Sequence, residues 1–237
     1  MVPTHCASLE EQAALCELLG GRQDLIVRFE ILNGRTLGVV LQLGNSVGNA
    51  AQLQTTLSDD AHILVIGAGT GKEVLALAQI NPKWQFTAQD TSSDMLDIAK
   101  QRFAEQGIDS RVTIECSPVD KVKAKADAVL CLLVMHFVED NGDKKQILKS
   151  IKTNLKKGAN LYIADLMRPE TTFERESQLN TCAQLGLTEA GKTQMGHNLE
   201  REFYPLDRMR FSELLNECGF GIPKLYFKAL GFSGYVV

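Results

Sequence analysis

The chain has 237 residues, 25 Lys and Arg against 29 Asp and Glu, and a formal net charge of −4. Its 44% hydrophobic and 23% charged content is ordinary for a soluble globular protein, and the length suffices for one well-buried α/β domain with a small appendage. The acidic balance argues against broad nucleic-acid binding, and no apolar run is long enough for a membrane span.

The first residues, MVPTHCASLEEQ, lack the basic-then-apolar pattern of a secretory leader. The six cysteines are scattered with no Cys-x-x-Cys pair, and the four histidines show no ligand spacing. A reducing, cytoplasmic setting without a metal centre is therefore expected. Cys116 and Cys131 fall in predicted strands and read as small core residues. Ser8 and Glu11 can form a capping box for a short helix that Gly20-Gly21 stops. Next, Leu25, Val27, Phe29 and Ile31 alternate, then Asn33-Gly34, then Leu37, Val39, Leu41 and Leu43. Alternation about Asn-Gly favours a hairpin, with helices before the first core strand as the alternative. This apolar segment can pack on the core, cover a ligand mouth or join two copies in a homodimer. A helix over Asn49–Leu57 leads into the core.

Ile63–Ile66 is a short β-branched apolar run, as expected of a strand buried on both faces of a parallel sheet. Gly67, Gly69 and Gly71 follow at spacing two, and Val74, Leu75, Leu77 and Ala78 then recur at helical spacing. The glycines thus turn a central strand into a helix and let a ligand lie against bare backbone. A dinucleotide fingerprint would need glycine at 72, where Lys72 stands. A phosphate-binding Walker loop would need glycine at 66 and Ser or Thr at 73, where Ile66 and Glu73 stand. What remains is Gly-x-Gly-x-Gly followed by a strand, Gln85–Gln89, with Asp90 at its end. Asp90 lies about twenty residues past the turn, where a carboxylate meets ribose hydroxyls in βαβ units.

Downstream, Ser92 or Ser93 can cap a helix over Asp94–Gln106 that Gly107 ends. Val112–Cys116 and Ala128–Leu133 read as the third and fourth strands, and Val134–Val138 leaves the fourth. Lys144–Leu155 is a helix with Ile147, Leu148, Ile151 and Leu155 on one face. Lys156-Lys157-Gly158 turns into a strand over Asn160–Ala164. Arg168–Asn198 reads as largely helical and polar. Phe211–Cys218 is a helix ended by Gly219, and Leu225–Leu230 and Phe232–Val237 are two closing strands.

Five segments in order, VIGAGTG at 65–71, QDTSSDMLDIAK at 89–100, RVTIECSPVD at 111–120, DAVLCLLVMHFVED at 127–140 and LKKGANLYIADL at 155–166, resemble the class I S-adenosylmethionine-dependent methyltransferases. The resemblance implies an α/β fold: a doubly wound, Rossmann-like, seven-stranded sheet with an antiparallel last strand, in three α-β-α layers. It implies a single domain over 1–237, with an N-terminal extension at 1–58, a cofactor-binding core at 60–237 and a helical cap insertion at about 167–205.

The same resemblance assigns S-adenosylmethionine as cofactor and a small molecule as methyl acceptor. Gly67, Ala68, Gly69 and Gly71 would lie against its methionine part, and Asp90 would accept both ribose hydroxyls. Thr91 and Met95 would sit beside the adenine, Ser117, Pro118 and Val119 on its other face, and the backbone of Leu132 near the sulfonium. The chain departs from the family at Val65 and Pro118, where acidic residues are usual. Each lost polar contact is worth about 1–3 kcal/mol if buried. Backbone groups can substitute, affinity can be weak, or the site can hold a modified cofactor or none.

In-line methyl transfer needs alignment above all, and a base only if the acceptor must lose a proton. His136, Glu139, Asp140, Asp165 and His197 are candidate acid–base groups, with His136 the catalytic choice because it follows the fourth strand. Tyr204, Arg201 and Arg208 are candidates for holding an anionic substrate. Two other functions compete. The C-terminal run and the segment after the fourth strand look similar to the carboxy-S-adenosylmethionine synthases, which place an arginine where Gly196 stands here, with Arg201 nearest. A non-catalytic binding protein on the same fold is the third reading.

Overall fold

The computed structural model describes residues 27–32, 36–41, 52–184, 188–229 and 231–237. The capping box at Ser8 and the helix it would start lie outside them. The predicted hairpin is present as β1 (Val27–Leu32) and β2 (Thr36–Leu41), paired antiparallel from Val27 opposite Leu41 to Leu32 opposite Thr36. Residues 52–56 are helical and lead toward the sheet.

The sheet is built from β3 (His62–Ile66), β4 (Gln85–Asp90), β5 (Val112–Cys116), β6 (Ala126–Leu132), β7 (Leu155–Leu166), β8 (Lys224–Ala229) and β9 (Phe232–Val236). Its order is β5-β4-β3-β6-β7-β9-β8. The first five run parallel, and β9 inserts antiparallel between β7 and β8. The order reverses at β3, so the C-terminal ends of β3, β4 and β6 border the crevice where open α/β sheets take ligands.

The helices are α1 (Lys72–Ile80), α2 (Ser93–Glu105), α3 (Asp143–Asn154), α4 (Thr172–Gln184), α5 (Glu189–Arg201) and α6 (Arg208–Glu217). Strand alternation decides which layer each residue feeds. Ile63 and Val65 of β3, Phe86 and Ala88 of β4 and Ala128 and Leu130 of β6 pack with Val74, Leu77, Ala99 and Phe103 of α1 and α2. Their strand neighbours Leu64, Ile66, Val129 and Cys131 pack on the opposite face with Leu148 and Ile151 of α3 and Phe211, Leu214 and Leu215 of α6. Both faces are covered, as runs with no polar alternation require.

Three sequence readings are corrected. The turn at Lys156-Lys157-Gly158 is part of β7, because Leu155 already pairs with Ala126 and an irregularity after it absorbs the glycine, at φ +81°. The helix expected from Phe211 begins at Arg208, because Asp207 caps it through the Arg210 amide. Cys131 is buried as expected, but Cys116 is exposed, since β5 is the edge strand.

Candidate functional site

The turn after β3 carries three left-handed residues, Gly67 at φ +64°, Gly69 at +52° and Gly71 at +78°. A side chain in that region costs roughly 1–2 kcal/mol. Two of the positions are also sterically closed. A Cβ at 67 would stand 2.4 Å from Val134 Cγ2, and one at 71 would stand 2.5 Å from Phe103 Cε1. Gly67 and Gly71 are thus demanded by protein contacts of the turn itself, apart from any ligand.

Asp90, at the end of β4, is tied to that turn. Its Oδ2 accepts the Gly69 amide at 2.8 Å and its Oδ1 the Ser92 amide at 3.0 Å. Ser92 Oγ in turn caps α2 through the Met95 amide. Each carboxylate oxygen has a second lone pair beyond its amide, so Asp90 can hold the turn and accept a pair of hydroxyls together. Gln89, one residue earlier, is buried. Its Oε1 accepts from the Gly67 amide at 3.3 Å and its Nε2 donates to the Ser117 carbonyl at 2.6 Å. One amide side chain therefore joins the ends of β3, β4 and β5.

Of the other positions assigned to the cofactor, Ala68 is buried and its amide donates to Gln89 O at 2.8 Å. Met95 and Val119 are buried, Ser117 and Leu132 half-buried, and Thr91 and Pro118 exposed. Val65 is buried in the apolar layer under α1 and α2.

Beyond β6 the chain turns sharply. Leu133 is the single non-glycine residue with positive φ, +62°, among the described residues, and its amide donates to Ala164 O at 2.7 Å. Such backbone costs on the order of 1–3 kcal/mol and persists where surroundings hold it. It sends Val134 over Gly67 and leads into a 3-10 turn, Met135–Phe137. Within that turn His136 is buried, with Nδ1 hydrogen-bonded to Asp165 Oδ1 at the end of β7. A carboxylate only accepts, so Nδ1 carries a proton, and in that neutral tautomer the lone pair lies on Nε2. Phe137 stacks tilted on the imidazole at 4.0 Å, and Phe203 meets it edge-on at 5.0 Å. The Tyr204 amide donates to His136 O at 2.7 Å, which fastens the end of the cap to this turn.

The remaining candidates do not converge on His136. Asp140 is held by Arg210 through Nε at 2.8 Å and Nη2 at 3.2 Å, a partnership that, with Glu217, pushes the guanidinium further above its usual range. Glu139 is exposed and accepts from Asn141. His197 and Arg201 are exposed on α5, and Arg208 pairs with Glu170. Tyr204 is exposed yet borders the small void beside His136 and Asp165. Gly196 is buried on α5 facing Leu179 and Arg175, and Arg175 is paired with Glu200. Sequence reasoning missed Gln89 and also Lys144, a buried lysine whose Nζ donates to the Met135 and Val138 carbonyls. Among the described residues no three metal-binding side chains cluster, and no helix is long and apolar enough to cross a membrane.

Residues 64–161 match the methyltransferase domain family. The chain is 27% identical over 118 residues to the demethylmenaquinone methyltransferase of Lactiplantibacillus plantarum, covering 49% of this chain and 50% of that protein. Among solved structures it is similar to the N,N-8-amino-8-demethyl-D-riboflavin dimethyltransferase of Streptomyces davawensis, with a TM-score of 0.58 at 19% identity over 79% of this chain and 52% of that one. It is also similar to human N-acetylserotonin methyltransferase solved with S-adenosylmethionine, with a TM-score of 0.58 at 18% identity over 82% and 51%. At these identities the structural likeness carries the fold, and the Rossmann-like methyltransferase sheet expected from the sequence is the one observed. The chain spans half or less of the length of the curated relatives it matches.

Proposed function

We infer, from the match of residues 64–161 to a methyltransferase domain, that the chain binds S-adenosylmethionine at the Gly67–Gly71 turn and methylates a small molecule held beneath its cap. The observation that carries this reading is the Gly69–Asp90 hydrogen bond, which makes the glycine turn and the next strand's carboxylate one cradle. Asp90 keeps a lone pair on each oxygen for the two ribose hydroxyls. Gln89 holds the ends of β3 and β5 at fixed spacing on either side. When bound, the sulfonium supplies a methyl group already activated for in-line displacement.

The acceptor side belongs to residues 133–137 and the cap. Leu133, Phe137, Leu166, Leu199, Phe203, Phe227 and Phe232 form an apolar cluster that excludes water and suits an aromatic or otherwise apolar acceptor. His136 Nε2 would take up the proton that the acceptor gives up when it is methylated. Asp165 fixes the tautomer and steadies the imidazolium. The demethylmenaquinone methyltransferase relative makes hydroquinones the first acceptors to try. The cap, residues 167–205, is read as the part that selects the acceptor within one domain, and Cys116, Cys131 and Cys218, all free, suit a reducing cytoplasm.

Calorimetric titration with S-adenosylhomocysteine tests the cofactor half, and no heat at millimolar ligand would leave a binding protein on a methyltransferase fold. Methyl transfer from isotopically labelled S-adenosylmethionine to catechol, hydroquinone and 1,4-naphthohydroquinone tests the acceptor half. His136→Ala should lower whichever rate is found by roughly 10²–10⁴-fold, the usual worth of a general base.

A further inference from the structure

Among the described residues, two of the Lys, Arg, Asp and Glu side chains are buried, Lys144 and Asp165, and both bear on His136. Asp165 holds its Nδ1. Lys144 holds its backbone: the Nζ of this lysine donates to the carbonyls of Met135 and Val138, which bracket the His136 turn on either side. The Met135 carbonyl also accepts the Val138 amide at 3.1 Å, so Lys144 adds a second donor there and supplies one to Val138 O, in a place where an acceptor short of donors is costly.

Lys144 is a poor choice on every local ground. It lies in the first turn of α3, where the helix dipole disfavours a cation. It is 1% exposed, and burial lowers its proton affinity against the opposing pull of Asp165 and Asp140. Residues that break local rules without a packing gain concentrate where function is placed. The nearby ionisable groups are few. Asp165 and Asp140 favour the cation, Cys131 is a thiol that burial keeps protonated, and Arg210 already engages Asp140.

We propose that Lys144 is a positioning residue that clamps the 135–138 turn from α3, so that the His136 ring is presented to Asp165 in one orientation with Nε2 available. Asp165 orients the ring and Lys144 orients the backbone that carries it. The role assigned to Nε2 rests on the methyl-transfer reading, but the clamp itself does not.

The test follows His136 by NMR in protein labelled with ¹⁵N-histidine, without any acceptor. His136→Ala identifies its signals. The wild type should show one set, including the downfield Nδ1 proton of an imidazole bonded to carboxylate. Lys144→Met keeps the aliphatic stem and removes both hydrogen bonds. It should lose that downfield proton and split or broaden the ring signals. Lys144→Arg, which keeps charge and two donors, should restore them. S-adenosylhomocysteine affinity should stay within twofold in both variants. If Lys144→Met does not fold, Lys144→Gln, with one neutral donor group, replaces it and should also lose the signal. Retention of the downfield proton in either neutral variant overturns the clamp. If instead the signal is lost as expected while His136→Ala transfers methyl at the wild-type rate, the clamp stands and the base assignment fails.

Discussion

Replacing Asp90 with asparagine separates the two tasks given to that carboxylate. The side chains have the same shape, but asparagine offers one accepting oxygen and one NH2 group. Asp90 receives two amides, Gly69 on Oδ2 and Ser92 on Oδ1, so one of them must face a donor in Asp90→Asn. A hydrogen bond to a charged group contributes about 1.5–3 kcal/mol, and Asp90 is half-buried, which places the loss at about 1–3 kcal/mol of folding stability. Urea unfolding of the ligand-free protein reads this part. The ribose part is separate, because an amide can accept only one of two hydroxyls. The loss expected there is at least tenfold in S-adenosylhomocysteine affinity, about 1.4 kcal/mol, read by calorimetry on the folded variant. Unchanged stability would refute the cradle, and unchanged affinity would refute the ribose assignment.

Glycine substitutions distinguish strain from crowding. Gly71→Ala and Gly158→Ala both place a Cβ at positive φ, yet only the former meets another atom, at 2.5 Å from Phe103. Gly158→Ala should cost about 1 kcal/mol and Gly71→Ala should cost more than twice that in urea unfolding; equal losses would show that the contact yields. Burial depresses the affinity of Lys144 for its proton, so between its folded value and the ordinary lysine value the unfolded chain binds more protons. The stability that this group contributes is complete above about pH 10.4 and declines as pH falls through the folded value. The wild type should therefore gain stability relative to Lys144→Met as pH rises from the folded value toward about 10.4, and a flat difference would contradict the buried placement. Burial raises the Cys131 thiol, whereas Cys116 is exposed, so iodoacetamide at neutral pH followed by peptide mass spectrometry should label Cys116 and spare Cys131 until the chain unfolds.

The parts of this molecule visible in the sequence are those governed by spacing. Gly67, Gly69 and Gly71 could be placed because a buried β-branched run precedes them and a helical period follows. Asp90 could be placed because the length of a βαβ unit fixes where the next strand ends. The β1–β2 pairing was visible in the alternation around Asn33-Gly34. What escaped depends on contacts between distant elements. Gln89 reads as one polar residue in a short strand, and its bridge from Gly67 to Ser117 is unknowable before β3, β4 and β5 are side by side. Lys144 sits in an Asp-Lys-Lys run that reads as solvated surface, and only the fold of 133–138 over α3 buries it. Asp140 kept its place among the acid–base candidates because its partner Arg210 is seventy residues away. His136 and Asp165 were each named, but their pairing required β6 and β7 to be neighbours.

The account depends most on a sulfonium nucleoside occupying the crevice at the ends of β3 and β4. Crystals grown with S-adenosylhomocysteine measure this directly. The expected electron density has both ribose hydroxyls on the Asp90 carboxylate and the amino-acid part along Gly67–Gly71. Density for the nucleoside elsewhere, or none at millimolar ligand, would contradict it.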